Sequence, residues 1–165
     1  MSRDDQAGPL LRLTQIVRSG AVAGVDGVLT LAFAERRRSR LRTRLDDGRE
    51  AALILPHGTV LRDGDRLRPE TGGPVISVRA AEETLSWATT GDPLLLARAA
   101  YHLGNRHVPV QIGEGWVAYQ HDHVLDGMMR DLGVELQVRQ APFEPEAGGY
   151  RQAGAHTHGD HTHEH

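Results

Sequence analysis

Cysteine and lysine are both missing from these 165 residues, and aromatic side chains make up only 4% of them. Without cysteine there is no disulfide framework, no thiolate nucleophile and no zinc-thiolate site, so any metal must be held by nitrogen and oxygen ligands. With so few aromatics the core must be built from Leu, Val, Ile and Ala, and no stacking platform for single-stranded nucleic acid is expected. A positive charge excess is missing too. The 19 basic residues, all Arg, stand against 22 acidic ones for a formal net charge of -3 with His neutral, whereas polyanion-binding proteins are usually far more basic. No apolar run approaches the roughly 20 residues that span a bilayer, and Met1 to Gly8 lacks the charged start, apolar stretch and small-residue cleavage site of a secretory signal. A cytoplasmic protein that binds neither nucleic acid nor membrane is the expectation.

What is present in excess is histidine, with 10 residues in the chain and half of them in the last ten positions. The segment His156-Thr-His158-Gly-Asp-His161-Thr-His163-Glu-His165 interleaves imidazoles with small or acidic residues able to wrap a borderline divalent cation. Imidazole favours Ni, Cu and Zn. A purification tag is the plain alternative, but tags are normally uninterrupted His runs. From Ala147 onward almost nothing apolar is left to bury, which predicts a disordered tail.

Upstream, short apolar stretches alternate with turn dipeptides. Asp47-Gly48 separates Leu41–Asp46 from Arg49–Leu55, and Asp63-Gly64 precedes Asp65–Leu67, as in tight β-hairpins. Leu41, Thr43 and Leu45 alternate with Arg40, Arg42 and Arg44, the period of a half-buried strand. The run Glu35-Arg36-Arg37-Arg38-Ser39-Arg40 is accordingly read as a solvated strand face, with docking of an acidic partner as its functional alternative. An all-β first domain over residues 1–73 follows.

Gly72-Gly73-Pro74 then punctuates the chain. Beyond it, Pro74–Ala80 is a strand candidate. Asp92-Pro93 opens a helix that Gly104 closes, and Val108–Ile112 and Val117–Gln120 flank the Gly113-Glu114-Gly115 turn. A second helix runs from about Asp122 to Gly133, and Val134–Val138 is the last strand. The fold class predicted is α+β: an N-terminal all-β domain, a ferredoxin-like βαββαβ domain over residues 74–146, and a His-rich tail over 147–165.

Other histidines fall in or beside the second domain. His121-Asp122-His123 places two imidazoles at i and i+2, on one face if the strand ending at Gln120 continues that far; a loose metal site and a pair of exposed or helix-capping residues both fit. The same residues suggest a His-Asp phosphohydrolase, but the further ligands such an enzyme needs cannot be placed. His102 and His107 lie five helical steps apart, on different faces. One imidazole cannot hold a metal firmly, but a single His beside a two-fold axis becomes two convergent ligands.

The stretch Tyr101-His-Leu-Gly-Asn-Arg-His107-Val-Pro-Val-Gln-Ile112, followed by Tyr119-Gln-His121-Asp-His123-Val-Leu-Asp126, resembles the signature of the urease accessory protein E family. Arg38-Ser-Arg-Leu-Arg42, Leu45-Asp-Asp-Gly-Arg49 and Leu55-Pro-His-Gly-Thr-Val-Leu-Arg-Asp-Gly-Asp65 resemble its first domain. The resemblance implies a homodimer that joins through the ferredoxin-like domain, with one His107 from each subunit on a shared Ni(II) carried as cargo. It further implies that the tail residues His156, His158, His161, His163 and His165 complete or feed that site. His121 and His123 would be peripheral copper or nickel ligands, and His102 a less widespread one. The implied partners are the urease accessory GTPase and the urease apoprotein activation complex, with the first domain in partner contacts.

Two other function classes remain beside this metallochaperone: a general store or buffer of Zn(II), Cu(II) or Ni(II) centred on the tail, and the metal-dependent hydrolase.

Overall fold

The computed structural model describes residues 9–17 and 24–147, so the tail histidines and Met1 to Gly8 lie outside the described residues. Its elements in chain order are β1 (Leu11–Leu13), β2 (Gln15–Val17), β3 (Gly27–Leu31), α1 (Phe33–Arg36), β4 (Arg40–Arg44), β5 (Glu50–Ile54), β6 (Arg66–Arg68) and β7 (Ile76–Ala80). There follow β8 (Glu82–Thr89), α2 (Pro93–Gly104), β9 (Gln111–Gly113), β10 (Trp116–Gln120), α3 (His123–Leu132) and β11 (Glu135–Pro142).

The first half builds two small sheets, in strand order β1-β5-β4 and β2-β6-β7-β3. Asp47-Gly48 does form a hairpin turn, with Arg44 opposite Glu50 across β4 and β5, and Gly48 takes the left-handed conformation at φ 89°. The sheets enclose Leu13, Leu29, Leu31, Leu53, Leu61, Leu67, Ile76 and Val78, all essentially inaccessible to water. Each buried Leu contributes about 1.5–3 kcal/mol, so leucines take the place of the scarce aromatics.

The first half is strand-rich but not all-β, because α1 interrupts it. Ala32-Phe33-Ala34-Glu35 folds into one helical turn whose opening N–H, on Ala32, is accepted by the Glu35 carboxylate at 3.0 Å. Arg40, Arg42 and Arg44 are exposed on β4 as their alternation predicts. Arg36 departs from that expectation and is 0% exposed. Backbone carbonyls of Leu31, Leu61 and Phe143, together with the Glu144 carboxylate, converge on its guanidinium and make burial of the charge affordable.

The second half is a βαββαβ unit whose sheet runs β11-β8-β10-β9, every neighbouring pair antiparallel, with α2 and α3 on one face. Its first strand is not the expected Pro74–Ala80. Ile76–Ala80 pairs with β3 in parallel and with β6 in the earlier sheet, and β8 takes the opening position instead. Gly72 and Gly73, at φ 82° and 119°, turn the chain into β7. The passage from one sheet to the other takes a single residue, Ala81, whose N–H is bonded to the Leu31 carbonyl at 2.9 Å. The expected strand Val108–Ile112 is likewise shorter and later, since Pro109 has no N–H to give to a ladder and pairing starts at Gln111.

Both helices end where the sequence predicts. Asp92 caps α2 through the Leu94 N–H at 2.8 Å, and Gly133 closes α3 at φ 91°. Among the described residues no helix is long and apolar enough to cross a membrane.

The tryptophans Trp87 and Trp116 stack with ring centroids 4.0 Å apart, and the Arg139 guanidinium lies 5.0 Å from the Trp87 ring. Gly113 makes room for them, since a Cβ there would fall 2.1 Å from the Trp116 ring. Gly113→Ala is therefore expected to displace Trp116, cost about 1–3 kcal/mol by overpacking, and change the tryptophan fluorescence of the folded protein. Unchanged emission and an unchanged denaturation midpoint would show that the ring has another place to go.

Candidate metal centre

Helix α2 carries Leu103, fully buried, as its last core anchor. The chain then turns back through Asn105 and Arg106, and His107 sits at φ 56°, the one non-glycine residue among those described with a positive φ. Its N–H bonds to the Gly104 carbonyl at 2.9 Å, and the Val108 N–H to the Leu103 carbonyl at 3.3 Å. This is the closure in which a left-handed residue, usually glycine, ends a helix. A side chain there costs about 1–2 kcal/mol, yet an exposed imidazole occupies the position. Strain retained at one exposed side chain is a mark of a working position.

His107 lines a cleft of about 840 Å³ between the two halves of the chain, together with Phe33, Arg37, Arg62 and Ile112. A second imidazole, His57, lines the same cleft. His102 is on the other side: half-buried on α2, with its ring 5.5 Å from that of Tyr101, it lines a hollow with Arg106, Val124, Met128 and Asp131. His102 and His107 are thus kept apart, as their spacing requires. Leu94 and Tyr101 on α2 and Val124 on α3 are exposed large apolar side chains.

At the far end of β10 the ladder extends one residue, through the His121 N–H to the Thr84 carbonyl at 3.0 Å. Asp122 is still extended, at φ −147° and ψ 123°, and caps α3, whose first residue is His123. Backbone N–H groups of Leu125 and Val124 hold the Asp122 carboxyl below the usual carboxylate range. That carboxylate is committed to the helix end, which leaves it poorly placed for hydrolytic chemistry. His121 and His123 are both exposed.

Behind His121 the surroundings are polar and buried. Its Nδ1 lies 3.0 Å from Ser86 Oγ and 3.2 Å from Asp126 Oδ2. The Tyr119 hydroxyl donates to Asp126 Oδ1 at 2.8 Å. Burial, followed by the bond to Asp126, pushes the Tyr119 phenol well above its ordinary range. Among the described residues no group of three or more His, Asp or Glu side chains is assembled to hold an ion.

Comparison with known proteins decides the family. The model described as "UreE urease accessory protein, N-terminal domain" matches residues 13–81, and "UreE urease accessory protein, C-terminal domain" matches residues 74–165. The chain belongs to the UreE family of urease accessory proteins. A urease accessory protein UreE from Pseudomonas putida (strain W619) is 56% identical over 129 residues, covering 78% of this chain and 80% of that one. Those of Citrobacter koseri and Vibrio parahaemolyticus are each 47% identical over 93% of this chain and all of their own length.

Within this UreE chain, sequence reasoning did not single out His57, Tyr119 or Asp126. His57 sits in a loop motif with no second ligand nearby in sequence, and its place in the cleft that His107 also lines is set by the packing of the two halves. Asp126 looks like an ordinary acidic residue in the first turn of a helix. Its distance of five residues from His121, across a strand-to-helix turn, was the one available signal.

Proposed function

We propose that this protein is a nickel metallochaperone. It binds Ni(II) as cargo through His107 at a homodimer interface and hands it on to the urease activation complex, working in the cytoplasm with the urease accessory GTPase. The observation that carries this reading is the exposed imidazole of His107, kept in a left-handed conformation that glycine would fill at lower cost. One imidazole is a weak site, and a two-fold copy doubles it. The exposed Leu94, Tyr101 and Val124 supply an apolar surface for the association of two such domains. A site of imidazoles alone suits a carrier, because mild acidification releases the metal.

In this scheme the first half, through β7, contacts partners, the second, from β8 to residue 146, dimerises and holds the metal, and the tail from 147 feeds the shared site through His156, His158, His161, His163 and His165. His121 and His123 form a peripheral site that also takes Cu(II), and His102 is an accessory ligand. Such sites bind Cu(II) above Ni(II) and Zn(II) in intrinsic affinity, so selection for nickel rests on partners and supply. The protein serves an enzyme and is not itself one.

Calorimetric nickel titration, with the mass of the complex followed in parallel, tests the proposal on the wild type, on His107→Ala and on a chain ending at Tyr150. The truncated chain should keep one nickel per dimer, and His107→Ala should remove that site. If truncation removes all binding and His107→Ala none, the protein is a tail-based buffer of divalent metals.

A further inference from the structure

Three polar or charged residues are buried among those described: Arg36, Ser86 and Asp126. Two of the three meet at one exposed histidine. The side chain of Asp126 is 3% exposed and that of His121 40% exposed, so a buried carboxylate backs a ring whose other edge reaches water. Burying a carboxylate is costly unless it is paired. This one is paired on every side, by the Tyr119 hydroxyl at Oδ1, by His121 Nδ1 at Oδ2 and by Arg130 at 3.9 Å.

The direction of these hydrogen bonds follows from the donor inventory. An ionised carboxylate only accepts, so Tyr119 donates to Asp126 and the proton between Asp126 and His121 lies on Nδ1. With that proton on Nδ1, Ser86 Oγ at 3.0 Å is a second acceptor for it. With Nδ1 protonated, the lone pair of the neutral ring is on Nε2, which has no protein partner among the described residues. We infer that Asp126, steadied by Tyr119, is a positioning residue that locks His121 in the Nδ1–H tautomer and presents Nε2 as a ready imidazole ligand for a divalent cation.

Carboxylates behind metal-binding imidazoles fix the ring and raise its basicity, and losing one typically costs 10–100-fold in affinity. Among the described residues no carboxylate backs His123 in this way, so the two histidines are unequal: His121 anchors an ion and His123 supplements it. The inference rests on the proposed role of His121 as a ligand, and the following experiment separates the two.

The tautomer is read first, on the full-length metal-free protein labelled with 15N, from long-range correlations of the ring nitrogens under conditions where the rings are neutral. His121 should show a protonated Nδ1 and an unprotonated Nε2. In Asp126→Asn, the amide can donate to Nδ1 and should move the proton to Nε2. Cu(II) is then titrated into full-length protein in which His107 is replaced by Ala and the five tail histidines by Gln, with and without Asp126→Asn and His121→Ala. Asp126→Asn should weaken Cu(II) binding by about 10–100-fold, and His121→Ala by at least as much. A wild-type His121 protonated on Nε2 overturns the inference whether or not the Asn variant folds. An Nδ1–H tautomer that Asp126→Asn moves, together with Cu(II) affinity that His121→Ala leaves unchanged, overturns the ligand role of His121 and the inference that rests on it. Circular dichroism of each variant separates loss of the site from loss of the fold.

Discussion

Arg36→Ala is expected to remove about 3–5 kcal/mol of stability, the cost of deleting a large, fully buried side chain that satisfies buried carbonyls. Small proteins have about 5–15 kcal/mol in total, so the variant should sit close to its unfolding threshold. The guanidinium is 0% exposed and donates to the carbonyls of Leu31 at 3.3 Å and Leu61 at 3.1 Å. It donates as well to the Phe143 carbonyl and the Glu144 carboxylate. Alanine leaves a cavity and takes a donor from all four acceptors, of which the Leu31 carbonyl keeps the Ala81 N–H at 2.9 Å. Glu144 suffers least, since it is partly exposed and keeps Arg62 at 3.5 Å and the Asp63 N–H at 3.2 Å, so most of the loss comes from the Leu61 and Phe143 carbonyls and the missing volume. Arg36→Lys, which retains charge but not the planar fork, should fall between the two. Urea denaturation followed by circular dichroism measures all three; a loss below about 1 kcal/mol for alanine would mean that water or a neighbouring side chain takes over the site.

His107→Gly should do two opposite things, abolishing nickel binding at the proposed interface while stabilising the metal-free protein. Glycine relieves a left-handed conformation that costs other residues about 1–2 kcal/mol, and gives back part of that through its larger unfolded-state entropy. A net gain of about 1 kcal/mol corresponds to roughly 2–4 °C in the melting temperature of a chain this size. His107→Ala loses the same ligand without relieving the backbone, so its melting temperature should not rise. Thermal melts in the presence of a chelator, beside nickel titrations, would show both. If Gly and Ala melt alike, the backbone at residue 107 carries no strain, and the main support for a working role of His107 is gone.

What the sequence made legible follows from where the punctuation lies. Asp92-Pro93 with Gly104, and Asp122 with Gly133, mark both helices at both ends, and the alternation of Arg40–Leu45 marks a strand with one solvated face. Strand β8 carried no such marks. It reads Glu-Glu-Thr-Leu-Ser-Trp-Ala-Thr, mostly polar or small, and starts one residue after β7 with no turn residue between them. Its inward positions include Ser86, which no hydrophobic pattern would place in a core. Arg36 was hidden by its neighbours: in a run of arginines each looks solvated, and only the meeting of Leu31, Leu61, Phe143 and Glu144 around one of them, from distant parts of the chain, sets it apart. The candidate site divides along the same line. His107, His121 and His123 were visible as residue types in a motif, whereas the cleft shared with His57 and the carboxylate behind His121 depend on which elements pack together.

The single-residue passage at Ala81 bears on how the two halves can cooperate. A linker would let them swing independently, so that a partner held on one would meet the other only by chance. Here the two strands are continuous through one bonded residue, and Phe33 and Glu83, joined at 2.7 Å, lie on either side of it. A protein gripping the arginine strand β4 would thereby be set at a fixed distance and angle from His107, and metal transfer between them would be governed by the shape of the docked pair rather than by the length of a tether.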